Sequence, residues 1–320
     1  MTKKQIGTSG IGVSAVSMGC WPISGVTTLG VTEADSLATL AASLDAGINF
    51  YDTAYCYGYT GESERLIGRA FAGHRDEVVI ATKGGIHWEG RKQYKDGRPG
   101  TLKRQCEESL SRLGTDYVDL YYLHAPDPVV PVSESAGGLK ELIESGKIRT
   151  AGVSNFSVAQ LEEFHAVCPI SASQPHYNML QREIEADHLP WCRRHEISVV
   201  AYWVLLKGLL AGKLTREQQF DPRDGRAKYP MFQGDEYQRN LDFVAVLQSI
   251  AQLAQITVSQ LVIGWTLAQP SITVALCGGR RPEQIVESAA AMRTELDQSV
   301  LAAVDQAIVA RGRVESRPPV

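Results

Sequence analysis

Short apolar, β-branched runs alternate along the chain with longer segments whose apolar residues recur every three or four positions. The runs are AVSMG (15–19), INFYD (48–52), VVIATK (78–83), YVDLYYLH (117–124), IRTAGVS (148–154), SASQ (171–174), ISVVAYW (197–203) and ITVALC (272–277), eight in all. Helical stripes separate them. Leu37, Leu40, Ala41 and Leu44 lie between an N-cap at Thr32 and a stop at Gly47. Leu102, Cys106, Leu110 and Leu113 end at Gly114, and Val132, Ala136, Leu139, Leu142 and Ile143 end at Gly146. Val158, Leu161 and Phe164 make another stripe, and Val258, Leu261, Val262 and Trp265 a late one. Eight β-then-α units imply a parallel sheet, because a parallel pair needs a long crossover. Eight such units can close into a (β/α)8, or TIM, barrel.

Some features exceed a minimal barrel. QIGTSGIGVS reads as an N-terminal β-hairpin turning at Ser9–Gly10. About sixty residues pass between the seventh and eighth strands, with an extra helix expected over 238–254. The connections 84–100 and 207–236 are long and poor in regular pattern; both follow strands, which places them at the barrel's C-terminal face. No composition shift divides the chain, so residues 1–320 read as one barrel domain, with the tail 313–320 expected to be loosely held.

Composition narrows the function classes. The chain has 320 residues, 44% hydrophobic and 21% charged, with a net charge of -4 and both signs interspersed. Nothing in that balance points to nucleic acid or membrane. No apolar run reaches the ~20 residues that span a bilayer, and the first residues have no signal-peptide core, so a cytoplasmic protein is expected. Cys20, Cys56, Cys106, Cys168, Cys192 and Cys277 form no C-x-x-C pair and read as reduced thiols. The histidines have no metal-ligand spacing, so no metal is expected.

Chemistry collects at strand ends. Asp52 ends the second strand and Tyr57 follows it; Lys83 ends the third; His124 ends the fourth. Singly, each has a structural reading: a rim tyrosine, a solvated lysine, a satisfied histidine, a capping aspartate. Together they offer a phenol as proton donor, an ammonium that would lower the phenol's pKa from about 10, a carboxylate to hold the ammonium, and an imidazole to hydrogen-bond a carbonyl oxygen. That set suits carbonyl reduction. Side chains cannot supply hydride, which implies a nicotinamide cofactor. By distance alone Tyr55 and Tyr59 rival Tyr57, and Lys83 could instead be a Schiff-base nucleophile.

The sequence resembles the aldo-keto reductases over nearly its whole length. INFYDTAYCYG followed by GESERLIG, ESLSRLGTDYVDLYYLH, ESGKIRTAGVSNF, SASQPHYNML and GGRRPEQIVESAAAM stand in that family's order. The resemblance selects Tyr57 as general acid, supported by Asp52, Lys83 and His124. It implies cofactor contacts from Gly19, Cys20 and Trp21, from Asp52, and from Ser154, Asn155 and Gln174 at the carboxamide. It adds Tyr202 stacked on the nicotinamide, Trp203, Gly208 and Lys213 beyond it, and Gly279, Arg280, Gln284, Glu287 and Ser288 at the adenosine end. Arg280 is placed to meet a 2′-phosphate through its planar fork, which favours NADPH over NADH. Trp21, Tyr57, Trp88 and His124 would line the substrate pocket. The implied activity is reversible reduction of small aldehydes or ketones to alcohols, by a monomer or homo-oligomer. Some proteins resembling this fold instead serve as cofactor-sensing subunits with little turnover.

The chain also departs from the family pattern. The common Y-S-P-L is here YWVL, with Trp203 for a small residue and Val204 for proline. Ser288 stands for the usual asparagine, and Cys277 where many relatives carry proline. No G-x-G-x-x-G follows a strand and opens a helix, which argues against a dinucleotide-binding Rossmann fold.

Overall fold

The computed structural model describes residues 3–26 and 28–316. β1 (Lys4–Gln5) and β2 (Gly12–Val13) pair antiparallel as the expected hairpin, with Gly10 at φ 73° in the turn. β3 (Val16–Gly19), β4 (Phe50–Asp52) and β5 (Val79–Gly84) are barrel strands. β6 (Ile86–Glu89) and β7 (Lys92–Lys95) form a second antiparallel hairpin. β8 (Val118–Leu123), β9 (Ile148–Ser154), β10 (Ile170–Gln174), β11 (Ser198–Ala201) and β12 (Ile272–Gly278) complete the barrel. The eight barrel strands correspond to the eight expected, all parallel, and they close when β12 pairs with β3. That closure sets Gly278 beside Gly19.

Helices flank the barrel. They are α1 (Glu33–Asp45), α2 (Glu62–Ala70), α3 (Pro99–Leu113), α4 (Val132–Glu144), α5 (Val158–Val167), α6 (His188–Arg194), α7 (Gly234–Leu253), α8 (Val258–Ala268), α9 (Pro282–Ala290) and α10 (Gln298–Arg311). The Thr32 side chain caps α1 by accepting from Asp35 N, and Gly114 ends α3 in the left-handed region. α2 escaped the periodicity reading because its buried side mixes Ser63 and Glu64 with Leu66 and Ile67. The buried Glu64 carboxylate accepts from Thr82 at 2.6 Å and from Arg112 at 3.0 Å.

Most strand side chains alternate between two cores; Val118, Ile170 and Ile272, at the first positions of β8, β10 and β12, pack in the outer one out of that alternation. Phe50, Val79, Ala81, Leu120, Tyr122, Ala172, Val200, Val274 and Leu276 fill the barrel interior. Tyr51, Ile80, Tyr121, Val199 and Ala275 point outward and pack in the core shared with the helices. The N-terminal hairpin joins the inner set through Ile6, Ile11 and Val13, all buried.

Two expectations need correction. The 84–100 connection is not irregular: it holds the β6–β7 hairpin, whose two-residue turn at Gly90–Arg91 lies inside a run with too few apolar residues to show alternation. The extra helix begins earlier, at Gly234, and the 207–236 connection carries short 3-10 turns, including 225–228 and 230–232. At the start of the tail the Glu315 N–H donates to Glu236 Oε1 at 3.0 Å, while Arg311 bonds the same carboxylate and Asn240 Oδ1. Residues 317–320 of that expected loose tail lie outside the described set. Among the described residues no single helix is long and apolar enough to cross a membrane.

Candidate active site

The inward parity of the strands delivers the polar groups. Asp52 lies two residues beyond Phe50, Lys83 two beyond Ala81, His124 two beyond Tyr122, Gln174 two beyond Ala172 and Tyr202 two beyond Val200. All five therefore project into the same end of the barrel, the carboxyl end of the parallel strands.

There they form one continuous hydrogen-bonded chain. The Tyr202 hydroxyl donates to Asn155 Oδ1 at 2.7 Å. Asn155 Nδ2 donates to the His124 carbonyl and to Ser154 Oγ, both at 3.0 Å. Ser154 Oγ donates to the Gln174 carbonyl at 2.7 Å, and Gln174 Nε2 donates to Asp52 Oδ2 at 2.7 Å. Lys83 Nζ donates to Asp52 Oδ1, to the Thr53 carbonyl at 2.7 Å and to Tyr57 Oη at 3.4 Å. Asn155 holds its place at φ 63°, a conformation asparagine tolerates better than most residues.

The protonation states follow from burial. Asp52 and Lys83 are shut from solvent and paired. Burial pushes the Asp52 carboxyl up against the pull of Lys83 and Gln174. Tyr57 is pushed well above the ordinary phenol value by burial and then by the Asp52 charge. The rise outweighs the lowering expected from Lys83, whose ammonium is committed to Asp52 and Thr53 and reaches the phenol only at 3.4 Å. Burial, with Lys83 and Lys95 nearby, holds His124 well below the usual imidazole range, so it is neutral.

Aromatic rings close the mouth. Trp21 meets Tyr57 edge-on at 4.9 Å. Trp88, on the β6–β7 hairpin, donates from Nε1 to the Cys56 carbonyl at 2.8 Å and packs 5.0 Å from Tyr59. Of the rival tyrosines, Tyr55 donates to Glu108 at 2.7 Å and Tyr59 is exposed; Tyr57 alone of the three bonds Lys83.

The other cofactor candidates divide in two. Gly19 sits at the barrel seam beside Gly278, and after β11 the backbone is left-handed at Trp203 (φ 62°) and again over Leu206 (φ 41°), Lys207 (φ 52°) and Gly208 (φ 91°). Lys213 and Glu287 pair at 2.6 Å, tying that loop to α9. Arg280 and Arg281 precede α9, whose N-terminus has no side-chain cap, and the Arg280 N–H donates to Gln284 Oε1 at 3.0 Å. A Cβ on Gly279 would come within 3.3 Å of Ile285. An uncapped helix start beside two guanidinium groups is a fit for a phosphate. Cys20 and Ser288 are different. Cys20 is fully buried with its thiol on the Met18 carbonyl; Ser288 is buried with its hydroxyl donating to the Gln284 carbonyl.

Some residues of the site were not singled out from sequence. Cys56 contacts His124. Lys207 lies over the Trp203 and Tyr229 rings at 5.3 and 5.6 Å, and burial lowers its ammonium pKa to about 8. Tyr229 lies 26 residues from Trp203 in an irregular connection, where periodicity carries no signal. All six cysteines are buried and unpaired, and among the described residues no His/Cys/Asp/Glu group could hold a metal.

A barrel with this site at its carboxyl end is the architecture of a barrel oxidoreductase, and the comparisons agree. The sequence model described as the Aldo/keto reductase family matches residues 15–309, and the chain belongs to that family. It is 40% identical over 288 residues to the aldo-keto reductase YhdN of Bacillus subtilis, covering 89% of this chain and 87% of that one. It is 32% identical to the NADH-specific methylglyoxal reductase of Escherichia coli, over 93% and 96% of the two chains. Among solved structures, the glycerol dehydrogenase AKR11B4 from Gluconobacter oxydans superposes with a TM-score of 0.90 at 35% identity, covering 100% and 98%. An aldo/keto reductase from Klebsiella pneumoniae, in complex with NADP and acetate, gives 0.73 at 28% identity, covering 96% and 95%. As an aldo-keto reductase the chain is a carbonyl-reducing oxidoreductase acting on small molecules.

Proposed function

We propose that the protein, a single barrel unit over residues 1–320, is an NADPH-dependent reductase of aldehydes or ketones, acting reversibly, with Tyr57 as the proton donor. A nicotinamide cofactor, when bound, supplies the hydride. Ser154, Asn155, Gln174 and Tyr202 would hold its nicotinamide end, and Arg280, with Gln284, its phosphate-bearing adenosine end. Gly19, Trp203, Gly208, Lys213 and Glu287 would border the groove between them.

The observation that carries this reading is the line Asp52–Lys83–Tyr57, its ion pair buried and its phenol partly buried, beside a neutral His124. Tyr57 keeps its proton at neutral pH, the form a reduction consumes. As negative charge develops on a substrate oxygen, Tyr57 transfers that proton and Lys83 stabilises the phenolate left behind. Asp52 keeps Lys83 aimed; neutral His124 can donate to the same oxygen. Trp21 and Trp88 exclude water and would favour apolar or aromatic substrates. In reverse, a Tyr57 phenolate would take the proton of an alcohol, a direction for which the glycerol dehydrogenase neighbour offers support.

Preference for NADPH rests on Arg280 and on the NADP-bound neighbour; the NADH-specific relative makes it a matter for measurement. The test follows NADPH absorbance with a reactive aromatic aldehyde for wild type and Tyr57→Phe, with NADH alongside. Turnover by wild type, and NADPH binding without turnover by the variant, is expected. Tight NADPH binding with no reduction across a broad carbonyl panel would overturn the proposal in favour of a cofactor sensor.

A further inference from the structure

His124 is neutral, so one ring nitrogen carries the proton and the other is a bare acceptor. Which is which decides whether the imidazole can help a carbonyl. A carbonyl oxygen needs an N–H donor. The partner of the remote nitrogen sets the tautomer.

That partner is a thiol. His124 Nδ1 lies 3.6 Å from Cys56 Sγ, and both residues are buried. Among the described residues Nε2 has no hydrogen-bond partner, so the far side of the ring is left for a ligand. Sulfur accepts poorly and its S–H donates weakly, so the better arrangement puts the S–H on the Nδ1 lone pair. Burial lifts the Cys56 thiol to about 12, which keeps that proton on sulfur.

Both partners are fixed by backbone. The His124 N–H donates to the Gly84 carbonyl at 2.9 Å, and the Cys56 carbonyl accepts from Trp88 Nε1 at 2.8 Å. The β6–β7 hairpin thus pins the loop that carries the thiol. Ala54, Ile86, Ala125, Tyr57 and Trp88 pack around the sulfur and exclude water that could otherwise serve Nδ1.

We propose that Cys56 is a positioning residue that selects the tautomer of His124: its S–H donates to Nδ1, so that Nε2 carries the hydrogen offered to the substrate carbonyl oxygen. The catalytic consequence rests on the reductase reading; the tautomer itself does not.

The test has two readouts. The first is the tautomer of His124 in protein labelled with 15N-histidine, read from long-range nitrogen–proton correlations, with His124→Gln used to assign the signal. The second is kcat and KM for aldehyde reduction with NADPH. Wild type is expected to show the hydrogen on Nε2. Cys56→Ala should show a tautomer mixture, with kcat reduced about tenfold and the KM for NADPH unchanged, the scale of one lost hydrogen bond. Cys56→Ser, whose hydroxyl can donate to Nδ1, should restore the Nε2–H tautomer and most of kcat relative to Cys56→Ala. Hydrogen on Nδ1 in wild type, or an unchanged tautomer in Cys56→Ala, overturns the proposal. A wild type that shows the Nε2–H tautomer yet reduces nothing overturns the reductase reading and leaves the tautomer assignment standing.

Discussion

Gln174 Nε2 donates to Asp52 Oδ2 at 2.7 Å across 122 residues of chain, while Lys83 takes the other carboxylate oxygen. The two donors share one buried acid, so neither is free to turn away. Gln174→Leu would strip one donor from a carboxylate that water cannot reach. The expected loss is about 1–3 kcal/mol of stability, the usual cost of a buried polar atom left without its partner. Urea unfolding of the variant checks it; an unchanged midpoint would mean that Lys83 alone satisfies Asp52.

With Tyr57 as the proposed proton donor, its raised pKa is expected to make the two reaction directions respond differently to pH. The phenol stays protonated past its ordinary value of about 10, so carbonyl reduction keeps its acid throughout the neutral range and beyond. Alcohol oxidation needs the phenolate and should climb steadily through the alkaline range. Initial rates in both directions on one pH series test this. Oxidation that levels off near neutrality would show that Tyr57 loses its proton far more easily than its burial implies.

Acid stability has a separate source in His188, buried and 3.0 Å from Ser173 Oγ, whose pKa burial lowers to about 4. The unfolded chain takes up a proton near pH 6.5 and the folded one does not, so stability falls as pH drops from about 6.5 to about 4, by roughly 1.4 kcal/mol per unit. His124 adds a loss of the same sign. Asp187 favours the charged His188 and His176 opposes it. His188→Gln should flatten the fall measured by urea midpoint against pH. A curve with wild-type slope would place the acid sensitivity elsewhere.

Arg280 should decide between phosphorylated and unphosphorylated cofactor. Its guanidinium reaches the Leu29 carbonyl only at 3.5 Å, so little holds it from a phosphate. Arg280→Ala is expected to weaken NADPH binding about ten- to a hundredfold while changing NADH by about twofold at most, the range for one charge-assisted contact. Cofactor titration by fluorescence reads both. Equal losses for the two cofactors would remove Arg280 from the choice.

The barrel was legible because eight strands and their crossover helices leave strong apolar periodicities. The positions of three candidate site residues were legible for a related reason: Asp52, Lys83 and His124 continue the inward parity of Phe50, Ala81 and Tyr122. Contacts that cross between loops were not. Nothing local to Cys56 tells that it faces His124, and nothing around Tyr229 tells that it meets Trp203. The net direction of the Tyr57 shift was not legible, because sequence shows that an ammonium is near but not how far the phenol is shielded from water or that a carboxylate has already claimed that ammonium.

The N-terminal hairpin seats Ile6, Ile11 and Val13 among the inward side chains, beneath the polar network. The barrel is therefore a cup and not a pipe: its floor is sealed and traffic passes through one mouth. Two molecules that share such a cup cannot overtake one another. Where a cofactor lies deeper than its substrate in such a cup, it is expected to arrive first and depart last.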